Sequence, residues 1–395
     1  MHILILPSWY PSNPSDVSGV FFRDQALALS ARGHKVGVVA PMMSSITKLL
    51  SGNRSSKSIP KENDEGVITY RQNIWGALPL IPYGNYFLWK RAADHLLKQY
   101  IDEQGSPDIV HAHSAIFAGA VASHWKDRLD IPVVLTEHSS AFARGTLQSW
   151  KLGLAKKATT TVDSRIAVSP ALGKLLSDTL GGSQNDWTWV PNIVAERFRP
   201  DEKSEQKAKR PIRFLNLALM TKNKGQFDLL EAFAMGFQNE NCHLWFGGNG
   251  PLRRQLEKTA KRLGVSDQVH FLGMVPPAEV PELLRKVDVM VIASHYETFG
   301  LVAAEALMCG TPVIATRCGG PECIVEDEDG LLVAPKNPNE LSKALLRILD
   351  LLPQMNSADI SERARHRFSA DVVGAQLEDI YASLAMNKRK PAASP

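Results

Sequence analysis

Two glutamates eight residues apart, Glu297 and Glu305, lie in the stretch "SHYETFGLVAAEALMCGTPVIAT", residues 294–316. An apolar strand precedes them, and the pattern predicts a helix beginning near Phe299–Gly300, with Leu301 following. The free N–H groups and dipole at such a start attract an anion such as a diphosphate. Glycine at position 300 lets the backbone approach a ligand closely. Glu305, roughly a turn and a half into the helix, can accept bonds from both hydroxyls of a ribose, as acidic residues do in dinucleotide folds. Glu297, ahead of the helix, falls close to the sugar of such a ligand. Taken as an isolated pair, the two acids are better explained by simple pairing with the helix dipole.

Other candidate chemistry is weaker. "GGNGPLR" approaches a dinucleotide loop, but Arg253 stands where the third glycine of G-x-G-x-x-G belongs. "DED" at 327–329 has the form of a metal-binding acidic triplet, yet "VEDEDGLLV" reads as a solvated turn. His111 and His113 alternate on a strand with no third ligand in view, which argues against zinc. Cys242, Cys309, Cys318 and Cys323 form no CxxC pair and read as reduced thiols. No resident metal or cofactor is expected.

The elements that must position these residues alternate along the chain. "HILIL", "KVGVVA", "DIVHAH", "PVVLTEH" and "RIAV" read as strands, with helical periodicity over 19–32, 85–104 and 115–128 between them. Apolar strands separated by helices imply a parallel sheet covered on both faces. The pattern breaks at "VPNIVAERFRP", a charged linker covers 201–210, and a second series follows: "IRFLNLAL", "CHLWFGG", "VHFLG", "VDVMVIA" and "TPVIAT". The expectation is α/β, two successive doubly wound Rossmann-like units, which bind ligands outside the carboxyl ends of their strands.

Residues 294–316 resemble the signature of glycosyltransferase family 4, which combines Glu-x7-Glu with "FGL" and a following "EA…G.PVIA". The resemblance continues in "SGVFFRDQALALSARGHKV", "DIVHAHS", "TEHSS", "VPNIVAERFRP", "FGGNGPLRRQLE" and "VHFLGMVP". It implies a GT-B fold: an acceptor domain over 1–192 with a returning helix at 370–386, a donor domain over 193–369, two binding edges facing one cleft, and a flexible tail at 387–395. It also implies a retaining, metal-independent transfer from a UDP- or GDP-linked sugar. Residue by residue, it gives Gly19 the phosphate-facing turn, His138 the donor-sugar site, Lys224 in "KNKG" the donor phosphates, and Met274 and Val275 the region of the base. Read alone, His138 is better explained as a structural histidine, and the motif context reverses that preference. The arginine the family carries just upstream of Lys224 is missing from "LALMTKNKG", leaving Thr221 or Asn223 as substitutes, and the usual Asn-Gly appears as Asn192-Ile193. No second carboxylate stands out in the first-domain motifs, so a front-face route fits better than a covalent intermediate.

Composition adds bounds. The 395 residues carry a net charge of +4, 44% hydrophobic and 22% charged residues, ordinary values for a soluble globular protein of two or so domains. The start "MHILILPSWYPS" lacks the basic leader and long apolar core of a signal peptide. No stretch reaches the roughly 18 apolar residues of a membrane span, so a cytoplasmic protein is expected. Lys48, Arg54, Lys57 and Lys61 fall in an acid-free stretch, followed by Trp75, Tyr83, Tyr86, Phe87 and Trp89. Such a run fits either a solvated loop before an amphipathic helix, or a patch that rests on an anionic membrane near a glycan or lipid-linked acceptor. No nucleic-acid module is visible. A nucleotide-sugar epimerase, which would need no acceptor, and a non-catalytic sugar-binding module are the alternatives; intact Glu297, Glu305 and Lys224 argue against the second.

Overall fold

The computed structural model describes residues 1–389 except 14, 15, 17, 46–60, 77, 79, 80 and 202–209. The chain divides into two compact units, one of 1–193 with 373–395 and one of 194–372.

In the first unit the described strands are β1 (His2–Pro7), β2 (Lys35–Ser45), β3 (Glu62–Asp64), β4 (Val67–Gly76), β5 (Ile109–His113), β6 (Val133–Glu137), β7 (Ser164–Ala167) and β8 (Thr188–Trp189). They form one sheet in the order β3-β4-β2-β1-β5-β6-β7-β8. Pairing is parallel except between β3 and β4. The central strands are apolar at successive positions because helices cover both faces; Ile3 to Leu6 are all fully buried. The sequence reading places helix α1 (Val20–Ala31) and helix α2 (Gly84–Gln104) well, but it overlooks the β3–β4 ribbon. Asp64 of that ribbon is gripped by Arg23 at 2.6 Å, a pairing far apart in sequence.

In the second unit β9 (Ile212–Leu217), β10 (Cys242–Gly247), β11 (Val269–Gly273), β12 (Val289–Ile292), β13 (Val313–Thr316) and β14 (Gly330–Val333) build a sheet ordered β11-β10-β9-β12-β13-β14, parallel throughout. The strand order reverses between β9 and β12. Loops leaving those two neighbours therefore diverge to opposite faces of the sheet and leave a crevice at the carboxyl edge. Phe214, Phe233, Phe237 and Phe246 anchor the core of this unit.

The acidic triplet is not a wholly solvated turn. Asp327 and Glu328 are exposed, but Asp329 is fully buried and takes hydrogen bonds from Arg363 at 2.7 Å and Arg367 at 2.9 Å. These arginines sit on the helix Ser357–Phe368, so the residue fastens a helix to the turn before β14. The aromatic run also divides. Tyr86 and Trp89 are buried, Trp89 donating to the Pro41 carbonyl at 3.0 Å, while Tyr83 and Phe87 are exposed. Lys48, Arg54 and Lys57 lie outside the described residues; Lys61 pairs with Glu103 at 2.6 Å.

Candidate active site

Lys224 closes a short 3-10 turn after β9, and Glu297 lies in the loop after β12. Because those strands are hydrogen-bonded neighbours, residues 73 apart in sequence meet: Lys224 Nζ is 2.6 Å from Glu297 Oε1. Ser294 also donates to Glu297 Oε1 at 2.7 Å, so the carboxylate is held from two sides. The two loops are fastened along their backbones. His295 N–H donates to the Asn223 carbonyl at 2.8 Å, and the Asn223 amide donates to the Tyr296 carbonyl at 2.9 Å. Gly225 permits this approach, for a Cβ there would stand 1.9 Å from the Ala293 oxygen, and its φ of +63° favours glycine.

The helix predicted near Phe299–Gly300 spans Leu301–Met308, with Gly300 as N-cap at φ +93°. Phe299 is buried against Phe368, fixing where the helix starts. Glu305 sits half-buried on this helix. Thr221 opens the turn that carries Lys224, without a side-chain cap bond. Asn223, the other candidate substitute for the missing arginine, spends its amide on Tyr296. Val275 lies beside Gly247 at the end of β10, and Met274 is exposed just after β11. The second unit thus gathers Thr221, Lys224, Glu297, Phe299, Gly300, Leu301 and Glu305 around its switch point, with Met274 and Val275 two strands away.

In the first unit Gly19 caps α1 at φ +78°, where a Cβ would press on Trp9 and Phe22. His138 follows β6 and is buried, and desolvation lowers its pKa to about 3. Its Nε2 is 3.0 Å from His113 Nδ1. Glu137, in the same motif, is fully buried and accepts from the N–H groups of Ala115, His138 and Ser139 at 2.7–2.8 Å. Burial pushes its pKa up and those bonds oppose the rise. Sequence reasoning missed Ser294 and Glu137. Nothing in their spacing announced them, although each stands within three residues of a motif position. Among the described residues no three His, Cys, Asp or Glu side chains converge as a metal site.

Two family models match the chain in succession. Residues 18–197 match Glycosyltransferase Family 4, and residues 198–367 match Glycosyl transferases group 1. The chain belongs to glycosyltransferase family 4. TuaC of Bacillus subtilis strain 168, a glycosyltransferase assigned to teichuronic acid biosynthesis, is 26% identical over 370 residues, covering 88% of this chain and 89% of TuaC. The fold is similar to that of sucrose-phosphate synthase from Thermosynechococcus elongatus, with TM-score 0.80 and 23% identity over 98% of this chain and 100% of that one. It is also similar to Anabaena HepE in complex with UDP-glucose, with TM-score 0.72 and 18% identity over 97% and 100%. The architecture is GT-B, and the protein is a glycosyltransferase of that type.

Proposed function

We propose that this glycosyltransferase moves a hexosyl or N-acetylhexosaminyl group from a UDP- or GDP-linked sugar to a lipid-linked or growing surface-glycan acceptor, with retention at the anomeric carbon and without a metal. The observation that carries the reading is the Lys224–Glu297 pair beside the Gly300-capped helix, at the carboxyl edge where β9 and β12 adjoin. Lys224 and Glu297 neutralise each other there. A diphosphate that takes over Lys224, with the helix N–H groups on its other oxygens, frees Glu297 to orient sugar hydroxyls and to face the positive charge that develops at the anomeric carbon. Glu305 holds the ribose, and Met274 and Val275 border the base. On the family resemblance, Gly19 is read as facing a donor phosphate and His138 as a residue of the donor-sugar site.

Retention through a covalent intermediate needs a second carboxylate as nucleophile. Glu137 is a poor candidate, since both its oxygens are engaged by backbone N–H groups. A front-face route, in which the leaving phosphate takes the acceptor proton, fits this arrangement. TuaC's assignment to a surface polymer and the exposed Ile81, Tyr83 and Phe87 support a lipid-linked acceptor met at the inner face of the membrane. A cytoplasmic, peripheral location follows from the same reading.

Thermal unfolding with a panel of nucleotide sugars tests the donor, because a ligand selective for the folded state raises its stability. One UDP- or GDP-sugar should raise the midpoint, and product formed from it should keep the donor's anomeric configuration by NMR coupling. Inversion would remove the front-face reading.

A further inference from the structure

Five polar side chains lie buried in the first unit beside His138. Tyr381, from the helix Ala370–Arg389, places its hydroxyl 2.6 Å from His111 Nδ1, and His111 Nε2 lies 2.7 Å from Thr136 Oγ1. The Gln25 amide nitrogen is 3.3 Å from His111 Nδ1 and 3.5 Å from His113 Nε2. His113 Nδ1 then meets His138 Nε2, and His138 Nδ1 is buried at the far side of the ring, outside this chain of bonds. Burial holds all three imidazoles neutral at physiological pH; the Asn192 side chain favours the charged form of His138 but is outweighed. A neutral imidazole has one N–H and one acceptor, so each bond dictates the next.

We infer that Tyr381, Gln25 and His113 are positioning residues that lock His138 with its proton on Nδ1, presenting a fixed donor to an oxygen of the sugar. Tyr381 is fully buried, and among the described residues His111 Nδ1 is the partner its hydroxyl reaches, so the hydroxyl hydrogen is satisfied when that nitrogen accepts. His111 Nδ1 is therefore lone-pair only, and its own proton sits on Nε2 toward Thr136. An acceptor facing Gln25 selects the amide NH2 rather than the carbonyl oxygen. The same NH2 makes His113 Nε2 an acceptor and puts the His113 proton on Nδ1. That proton goes to His138 Nε2, which leaves the His138 proton on Nδ1. Phe21 and Phe22 pack their rings 5.0 Å from His138 and keep the ring from turning over. This rests on the proposed role of His138 at the donor sugar.

Two-bond proton–nitrogen correlation on the full chain labelled in its 11 histidines reads the tautomer directly. His138→Gln assigns the resonance. The wild-type protein should show Nδ1 protonated and Nε2 bare at His138. Gln25→Glu offers an acceptor in place of the donor, and should move the His138 proton to Nε2 while turnover falls at least about tenfold, the scale of one misplaced hydrogen bond in a transition state. UDP or GDP affinity by calorimetry should stay within about twofold, since the nucleotide is assigned to the second unit, and Tyr381→Phe should give a mixture of tautomers. A wild-type His138 protonated on Nε2, or a folded Gln25→Glu protein that keeps the proton on Nδ1, overturns the lock. The spectrum needs no substrate, so its failure is distinct from failure of the transferase reading, which turnover reports.

Discussion

At the scale of single residues, the proposed site rests on one cation and two acids. Lys224→Ala should lower turnover by about 100-fold, the loss expected when one preorganised stabilising group is removed; near wild-type turnover would place the phosphate cation elsewhere. Glu305→Ala should weaken nucleotide binding by roughly 1.5–3 kcal/mol, the scale of a charge-assisted hydrogen bond, as read by calorimetry. The buried histidines make a separate pH prediction. Burial lowers His111 and His138 to about 3 and His113 further below its ordinary value. Their stabilisation is complete above the unfolded pKa of about 6.5 and is lost as the pH falls toward the folded values. Each histidine contributes a slope of about 1.4 kcal/mol per pH unit within that window, because the unfolded chain binds the proton and the folded one does not. Glu137, whose pKa is raised by burial, works in the opposite sense, and one carboxyl offsets only part of three imidazoles. Unfolding of the first unit should therefore become easier between pH 6.5 and 5. A midpoint in urea that stays flat across that range would contradict the neutral cluster.

At the scale of elements, two loops and one helix carry the argument. Gly225→Ala forces a Cβ against the Ala293 carbonyl, one residue before the segment that holds Ser294 and Glu297. Turnover should fall at least about tenfold, together with about 1–3 kcal/mol of stability, as for other overpacked contacts. Gly153→Ala, in open space on the helix Ser149–Thr161, is the control and should be neutral or slightly stabilising. Asp329→Asn should destabilise the second unit by about 2–3 kcal/mol, less than the roughly 3–5 kcal/mol of a wholly buried pair because Arg363 and Arg367 remain partly exposed. A change below about 0.5 kcal/mol, the ordinary range for a surface position, would mean that helix is fastened by its apolar face alone. The acidic triplet shows how local reading fails: the residues around it look like a turn, and they are one, but the partners that bury Asp329 arrive from 34 and 38 residues downstream.

At the scale of the whole molecule, the proposed metal independence implies that activity survives EDTA; complete loss restored by Mn²⁺ or Mg²⁺ would contradict it. The membrane reading has its own test in liposome flotation. No described helix is long and apolar enough to cross a membrane. The proposed attachment is peripheral, through the exposed Ile81, Tyr83 and Phe87. Binding should rise with anionic lipid and fall with salt. Indifference to anionic vesicles at low salt would favour a soluble acceptor.

What the sequence determined was whatever is local or periodic. Continuous apolar strands alternating with helices specified parallel sheets, and the run from Val289 to Glu305 specified a strand, a glycine cap and a helix in that order. The family motifs then supplied the GT-B architecture. What only the tertiary structure decided was which distant side chains meet. The Lys224–Glu297 contact requires that β9 lie beside β12 rather than β13, and strand order is set by the crossover helices, not by either strand's own pattern. Ser294 was hidden for the same reason: a serine after a strand has no signature until a carboxylate bends back over it. The histidines were visible as an alternating pair, yet their chain of bonds needs Gln25 from the first helix and Tyr381 from the last one. Hydrogen-bond direction belongs to a closed network and not to any residue in it, so it becomes determinate only when the fold has brought the far end of the chain home.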